Sequence, residues 1–499
     1  MLLRAGSTLL LLLLGCQAVA APAIPPFAMK TLPPEVAAAM DRARVPRESL
    51  SAVVQEVGHS GTPQLSWQAQ AAVNPASLMK LITTYAALDL LGPAWTWATP
   101  VWLQGAWPTG GSGVFEGDVV VKGGGDPKLV VERVWLLLRR LQQLGVREIR
   151  GDIVLDRSAF EVPEQNPADF DGEALRPYNV LADALLLNYK ALSFTFTPDP
   201  AHGVAVISTE PTLEGVRADV RVPLAAGVGA TQCSDWRSAL QADFSDPQRL
   251  RFKGIYSPAC GEKQWPVAYI DPAGYNGRLL AGLWAEMGGK LTGSVRDGTA
   301  PATAPTFELA SPPLAEVIRD INKFSNNVMA QQLFLTLALN QRGLGTPDGA
   351  REVLRGWLAA RYGDAGRAAV IDNGSGLSRE TRISAAVLAR LLQDAAASTL
   401  MPELMASLPV SGVDGTMRRT QTLTGRAHLK TGSLRDVTAV AGYLLAPSGQ
   451  RYVLVGIVNH PNAAATRPAL EALIQWAADD GLTKALARSA STGTDNSAR

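Results

Sequence analysis

The two ends of this chain carry matching secondary-structure signals, and that limits the fold more than any other feature of the sequence. Glu35 to Arg44 reads as a helix. Ser51 to Val57 and Pro63 to Gln68 read as strands joined by a turn at Ser60-Gly61. At the far end, Val437 to Leu445 and Arg451 to Val458 read as strands around the Pro447-Ser448-Gly449 turn, and Arg467 to Ala478 as a closing helix. An antiparallel sheet flanked by N- and C-terminal helices uses both ends, which is an α+β arrangement.

The middle has a different texture. From about Trp95 to Trp265 short β-like runs alternate with Gly and Pro punctuation, as in Val114 to Lys122, Glu148 to Leu155, Leu192 to Thr197, Gly203 to Thr209 and Val216 to Val222. This is the pattern of inserted material, one or two small domains. Helical patterns return at Gly274 to Met287, Leu314 to Leu339, Asp348 to Tyr362 and Ser384 to Ala397. The expected organisation is a leader at residues 1–20, a first catalytic part at 28–96, a β-rich insert at 97–264, a second catalytic part at 265–485, and a flexible tail at 486–499.

The leader predicts export. Arg4 precedes the apolar run Leu9 to Leu14, which is too short for a permanent membrane helix. Ala18-Val19-Ala20 fits cleavage before Ala21, while Leu13-Leu14-Gly15-Cys16 fits lipidation at Cys16; membrane attachment is expected only in the second case. Apart from Cys16, the cysteines are Cys233 and Cys260. An even pair in an exported chain predicts one disulfide, two buried free thiols being the alternative. The formal charge of +1 in 499 residues gives no basic excess for nucleic acid. His and Cys show no metal-ligand spacing, so neither a metal nor a cofactor is expected.

Three short patterns carry chemistry. Ser77-Leu78-Met79-Lys80 follows Asn74-Pro75, a helix-start signal, and residues three apart share a helix face. A serine is a weak nucleophile until a base takes its proton, and Lys80 can be that base if its pKa is lowered. The helix N-terminus adds positive potential where an oxyanion would form. Alone, this pattern occurs about once or twice by chance in a chain this long. Ser325-Asn326-Asn327, within a helical run, offers a hydroxyl for proton relay and an amide for a substrate carbonyl; a solvated polar turn is the plainer reading. Lys430-Thr431-Gly432-Ser433 sits just before a strand. There Gly432 permits close backbone approach, Lys430 brings charge, Thr431 and Ser433 can bind a carboxylate, and the Ser433 amide can complete an oxyanion hole.

Each pattern occurs once, in the order Ser-x-x-Lys, Ser-x-Asn, Lys-Thr-Gly, which is the signature of β-lactamases and penicillin-binding proteins. More of the chain resembles one branch, the D-alanyl-D-alanine carboxypeptidase/endopeptidases of the penicillin-binding protein 4 type. The similarity is carried by Gly123-Gly124-Gly125-Asp126-Pro127, Gly151-Asp152-Ile153-Val154-Leu155-Asp156, Asp372-Asn373-Gly374-Ser375-Gly376-Leu377-Ser378-Arg379, Leu408 to Thr416, and Leu429 to Leu434. It covers nearly the whole mature chain, and the long interval between Ser77 and Ser325 resembles this branch, whose extra domains interrupt the catalytic domain there.

The resemblance implies a serine β-lactamase/penicillin-binding-protein fold with that insert, and a periplasmic DD-peptidase acting on peptidoglycan stem peptides through an acyl-enzyme on Ser77. β-Lactams would be covalent inhibitors. The catalytic residues implied are Ser77, Lys80, Ser325, Asn327 and Lys430, with Thr431, Gly432, Ser433 and Arg379 contacting substrate. Some members grip the stem side chain with an acidic and an aromatic residue; a register anchored on Pro177-Tyr178-Asn179 puts Val180 and Leu185 there instead. A β-lactamase or a non-catalytic wall-binding scaffold are the competing functions. The insert argues against the first, and the intact motifs against the second. The Gly123 run lacks the Gly-Lys-Ser/Thr ending of a phosphate loop, and His59, His202, His428 and His460 stand alone as surface or structural residues.

Overall fold

The computed structural model describes residues 29–481, apart from residue 30 and residues 59–62 and 107–110. The expected leader, Cys16, the Ser60-Gly61 turn, His59 and the tail at 486–499 lie outside the described residues.

The ends of the chain do share one sheet. Five antiparallel strands lie in the spatial order Ala427–Leu434, Val437–Leu445, Arg451–Asn459, Leu50–Glu56, Leu65–Trp67. Leu50–Glu56 pairs along its whole length with Arg451–Asn459, Ala52 opposite Gly456. Successive side chains point to opposite faces. Val54 and Leu454 therefore pack under the helices Pro34–Arg42 and Arg467–Ala478, while Val53 and Val455 face the helical side. Because both faces are covered, Val437–Leu445 is buried almost throughout, which explains its near-continuous apolar run. Gly456 lets the closing helix come close: a Cβ there would meet the Leu470 and Leu473 side chains at 2.9 and 3.1 Å.

On the helical side, Met79–Leu91 runs through the core with most of its surface buried. The helices Leu314–Lys323, Asn327–Arg342, Pro347–Arg367 and Ala385–Ala397 surround it. The sequence pattern suggested one helix from Leu314 to Leu339. The chain instead breaks at Phe324–Asn326, where Ser325 adopts φ 56°, and Asn326 caps the next helix by accepting from the Met329 amide.

The insert is larger than expected. Phe307–Ala310 pairs antiparallel with Ala98–Ala106, Val295–Asp297 pairs with Ile153–Asp156, and the helix Tyr275–Glu286 packs into the same apolar cluster as Phe115, Ile153, Phe194 and Phe252. Elements on both sides of residue 264 thus share one sheet and one apolar cluster. The strands that complete this sheet return only after the helix Tyr275–Glu286, beyond the boundary expected at 264. A second, four-stranded sheet and a three-stranded sheet share that cluster. The disulfide joins Cys233 to Cys260, beside an aromatic cluster of Phe196, Trp236, Tyr256 and Trp265.

Candidate active site

Ser77 stands where three parts of the fold converge, and Asn74 is the residue that ties them. Its Oδ1 accepts from the Ala76 amide at 2.9 Å, closing the turn that leads into the helix. Its Nδ2 donates to the Ser378 carbonyl at 2.8 Å, and its backbone exchanges bonds with the Asn459 side chain at 2.7 and 2.9 Å. The turn Ala76–Leu78 then delivers Ser77 to the N-terminal end of Met79–Leu91, with Ala76 in the left-handed region at φ 46°. An alanine tolerates that conformation only when the surroundings impose it. They do: Gly376 packs so closely that a Cβ there would lie 1.9 Å from the Ala76 carbonyl oxygen.

Lys80 follows one helical turn later and is fully buried. Its Nζ lies 3.1 Å from Ser77 Oγ, 2.7 Å from Asn327 Oδ1 and 2.6 Å from the Ser375 carbonyl oxygen. None of these partners is a carboxylate. Burial therefore drives the Lys80 pKa well below its ordinary value, and the nearby Lys430 charge lowers it further.

Lys430 is equally buried, and its Nζ donates to Ser325 Oγ at 2.9 Å and to the Thr431 carbonyl at 2.7 Å. Desolvation brings its pKa down to about 7. The helix break is what delivers Ser325 to this lysine. The Lys-Thr-Gly-Ser run, expected just before a strand, lies inside the edge strand Ala427–Leu434. An edge strand keeps backbone groups available to an incoming extended peptide. Gly432 is needed there, since a Cβ would sit 2.8 Å from the Pro75 carbonyl oxygen. Thr431 Oγ1 bonds Thr416 Oγ1 at 2.8 Å, and Ser433 is exposed.

The structure thus brings Ser77, Lys80 and Asn327 into one bonded group and Ser325 and Lys430 into a second, close enough for the Lys430 charge to act on Lys80, with Thr431 to Ser433 along the edge. Arg379 stands farther out. It is exposed, lies 4.9 Å from the Phe170 ring centre, and donates to the Phe170 carbonyl at 3.3 Å. Phe170, not Val180 or Leu185, is the insert residue that meets it. Leu185 is turned into the insert core, and Val180 packs against Val328. A cavity of about 310 Å³ opens between this insert loop and the site, lined among others by Phe170, Tyr178, Asn327, Arg351 and Ser375. Sequence reasoning did not assign Phe170, the Ser375 carbonyl or Thr416 to the site, although Ser375 and Thr416 lie in segments that carry the family resemblance. His428 shares the Lys430 strand but accepts no part in the cluster, its Nδ1 lying 3.2 Å from the Met405 carbonyl.

Known proteins share this frame. Penicillin binding protein 4 (dacB) from Haemophilus influenzae superposes with a TM-score of 0.69 at 20% identity, covering 88% of this chain and 99% of that one. The same protein complexed with a β-lactam gives a TM-score of 0.63 at 21% identity, over 86% of this chain and 94% of that one. The fold is accordingly the α+β penicillin-binding-protein fold with an inserted unit. In sequence, the D-alanyl-D-alanine carboxypeptidase of Actinomadura sp. (strain R39) is 29% identical over 413 residues, which is 77% of this chain and 73% of that protein. D-alanyl-D-alanine carboxypeptidase DacB of Haemophilus influenzae is 24% identical over 402 residues, 77% of this chain and 80% of that protein. The model of the D-Ala-D-Ala carboxypeptidase 3 (S13) family matches residues 33–480, and the chain belongs to that family, as a serine-type D-Ala-D-Ala carboxypeptidase.

Proposed function

We propose that Ser77 is the nucleophile, Lys80 its base, and the terminal D-Ala-D-Ala bond of peptidoglycan stem peptides the bond cut. The observation that carries this reading is the buried Lys80 amine 3.1 Å from Ser77 Oγ with no carboxylate partner. A lysine whose pKa burial holds well below its ordinary value gives up its proton more readily and can then take one from a serine.

Ser77 Oγ gives its proton to Lys80 and bonds to the penultimate D-Ala carbonyl carbon. The backbone amides of Ser77 and Ser433 hold the resulting oxyanion. As the C–N bond breaks, Ser325 passes a proton to the leaving amine and takes one back from Lys430, 2.9 Å away, and the proton held by Lys80 then restores Lys430. Water then attacks the acyl-enzyme and returns Ser77. Lys430, Thr431 and Ser433 receive the free carboxylate of the terminal D-Ala, while the Asn327 amide and the edge strand orient the stem. A β-lactam, which presents the same acyl–nitrogen bond in a ring, acylates Ser77 without being released quickly.

Cleavage of cross-links is a second use of this site. The cavity of about 310 Å³ beside Asn327 and Ser375 leaves room for a branched stem peptide. The predicted leader places the protein in the cell envelope, free if cut before Ala21 and membrane-attached if lipidated at Cys16.

Incubation with penicillin followed by intact-mass analysis and peptide mapping tests the mechanism. One adduct on Ser77 is expected, none in Ser77→Ala, and acylation slowed roughly a hundredfold to ten-thousandfold in Lys80→Ala, the usual worth of a general base. An adduct on another residue would overturn the assignment.

A further inference from the structure

Asn327 carries an amide whose two ends are nearly the same shape, and the end that faces Lys80 is selected from outside the catalytic domain. Asn327 Oδ1 accepts from Lys80 Nζ at 2.7 Å, while Asn327 Nδ2 donates to the Tyr178 carbonyl at 3.1 Å. A carbonyl oxygen only accepts, so it holds the NH2 end and leaves the oxygen for Lys80. Turning the amide over would set two acceptors against each other in a buried place, at the cost of an unmade hydrogen bond.

Tyr178 belongs to the insert, on the single turn Pro177–Asn179. One carboxylate fixes that turn. Asp171 Oδ2 accepts from the Tyr178 hydroxyl at 2.9 Å, and Asp171 Oδ1 accepts from Asn179 Nδ2 at 2.7 Å and from the Glu173 amide at 3.1 Å. Asn179 Nδ2 also donates to the Glu173 carbonyl at 3.0 Å. Bonds to an ionised carboxylate are stronger than neutral ones. The turn abuts the catalytic domain through Val180 against Val328, next to Asn327 in the chain.

We propose that Asp171 is a positioning residue for the reaction: by fixing the Pro177–Asn179 turn it keeps the Asn327 amide oxygen on Lys80, though it touches no reacting group. This rests on the reading of Lys80 as the base of Ser77. The insert then does more than border the cleft, since it sets the polarity of a group inside it.

The proposal has a signature that mere loss of packing lacks. Around Lys80 stand Ser77 Oγ, the Ser375 carbonyl and Asn327, all uncharged, and the charged Lys430 on the edge strand. An amide oxygen favours the ammonium form, and an amide NH2 the free amine. Releasing Asn327 therefore moves the acid limb of the acylation profile, where Lys80 gains its proton, to lower pH. It also slackens the Lys80–Ser77 geometry and slows acylation at the plateau.

The test is the rate of acylation by penicillin G as a function of pH in the full-length protein and three variants. Asp171→Ala is expected to lower the plateau about tenfold, the cost of slightly misplacing a catalytic group, and to shift the acid limb downward. Asp171→Asn, which still offers an oxygen to Asn179 and a partner to the Tyr178 hydroxyl, should recover most of the rate and the wild-type limb. An unchanged profile in Asp171→Ala, or a slower rate with the limb unmoved, overturns the proposal provided Lys80→Ala is slow. Fast acylation of Lys80→Ala would instead remove the base itself, and the proposal with it.

Discussion

The Lys430 Nζ lies 2.9 Å from Ser325 Oγ, and both are brought there by interruptions: a helix break for the serine and an edge strand for the lysine. With its pKa brought down to about 7, Lys430 loses its proton as the pH rises through neutrality. It is cationic below that point and neutral above it. The KM for a D-Ala-D-Ala acid should then climb above neutrality, by at most about tenfold per pH unit, while a D-Ala-D-Ala amide should show no such rise. Lys430→Ala should cost the acid more than the amide, and more than Thr431→Ala does, by about 1.5–3 kcal/mol for a charged contact. Steady-state rates on the two substrate forms check this; equal losses would assign Lys430 to the proton path alone.

Arg379 should act through substrate charge. Stacked on Phe170 and exposed at the mouth of the cleft, it is placed to meet a stem side chain and not the scissile bond. Arg379→Ala should reduce kcat/KM for stems whose side chain is charged, by about two- to fivefold for an exposed ion pair, and leave neutral stems unaffected. Phe170→Ala, which frees the guanidinium, should give a smaller loss with the same selectivity. A peptide series differing only at that side chain measures both.

The disulfide should stabilise the insert without touching the chemistry. It closes a loop with a sequence separation of 27, worth about 3–4 kcal/mol on the chain-entropy account. The paired replacement Cys233→Ser and Cys260→Ser should lower the calorimetric transition of the insert, yet leave penicillin labelling of Ser77 at its normal rate in the folded protein.

Asp126 should be a liability at neutral pH. It is buried, and desolvation raises its pKa from 3.8 to about 6. Between those values the folded state holds a proton that the unfolded state has released, so stability falls as pH rises through that window, and the penalty is full above it. Two pH units correspond to about 3 kcal/mol as an upper figure. Asp126→Asn, which keeps an oxygen for the Lys128 amide, should raise the melting temperature above pH 6 and change little near pH 4. A denaturation series across that range decides it.

What the sequence made legible followed from short-range chemistry. Ser77 and Lys80 meet because a helix turn separates them, and the shared sheet shows in the strand signals at both ends. Long-range packing was harder to see. The residues from Leu314 to Leu339 keep a helical period across the break at Ser325, so nothing local announces it. The helix Tyr275–Glu286 looks like any amphipathic helix, and only its burial against Phe194 and Ile153 assigns it to the insert. The Ser375 oxygen that faces Lys80 is a backbone group, and a backbone carbonyl carries no residue-type signal. Phe170 lies on a loop without periodicity, where pairing with Arg379 cannot be read from spacing.

The order of strands in the central sheet also makes the candidate site depend on segments far apart in the chain. Leu50–Glu56 lies between Leu65–Trp67 and Arg451–Asn459, and Lys430 reaches Ser325 from the edge strand at the far side of the same sheet. The helix that pairs Ser77 with Lys80 therefore does not by itself complete the setting of Lys80. That setting is complete only when Ala427–Leu434 is docked on the sheet through Val437–Leu445 and Arg451–Asn459.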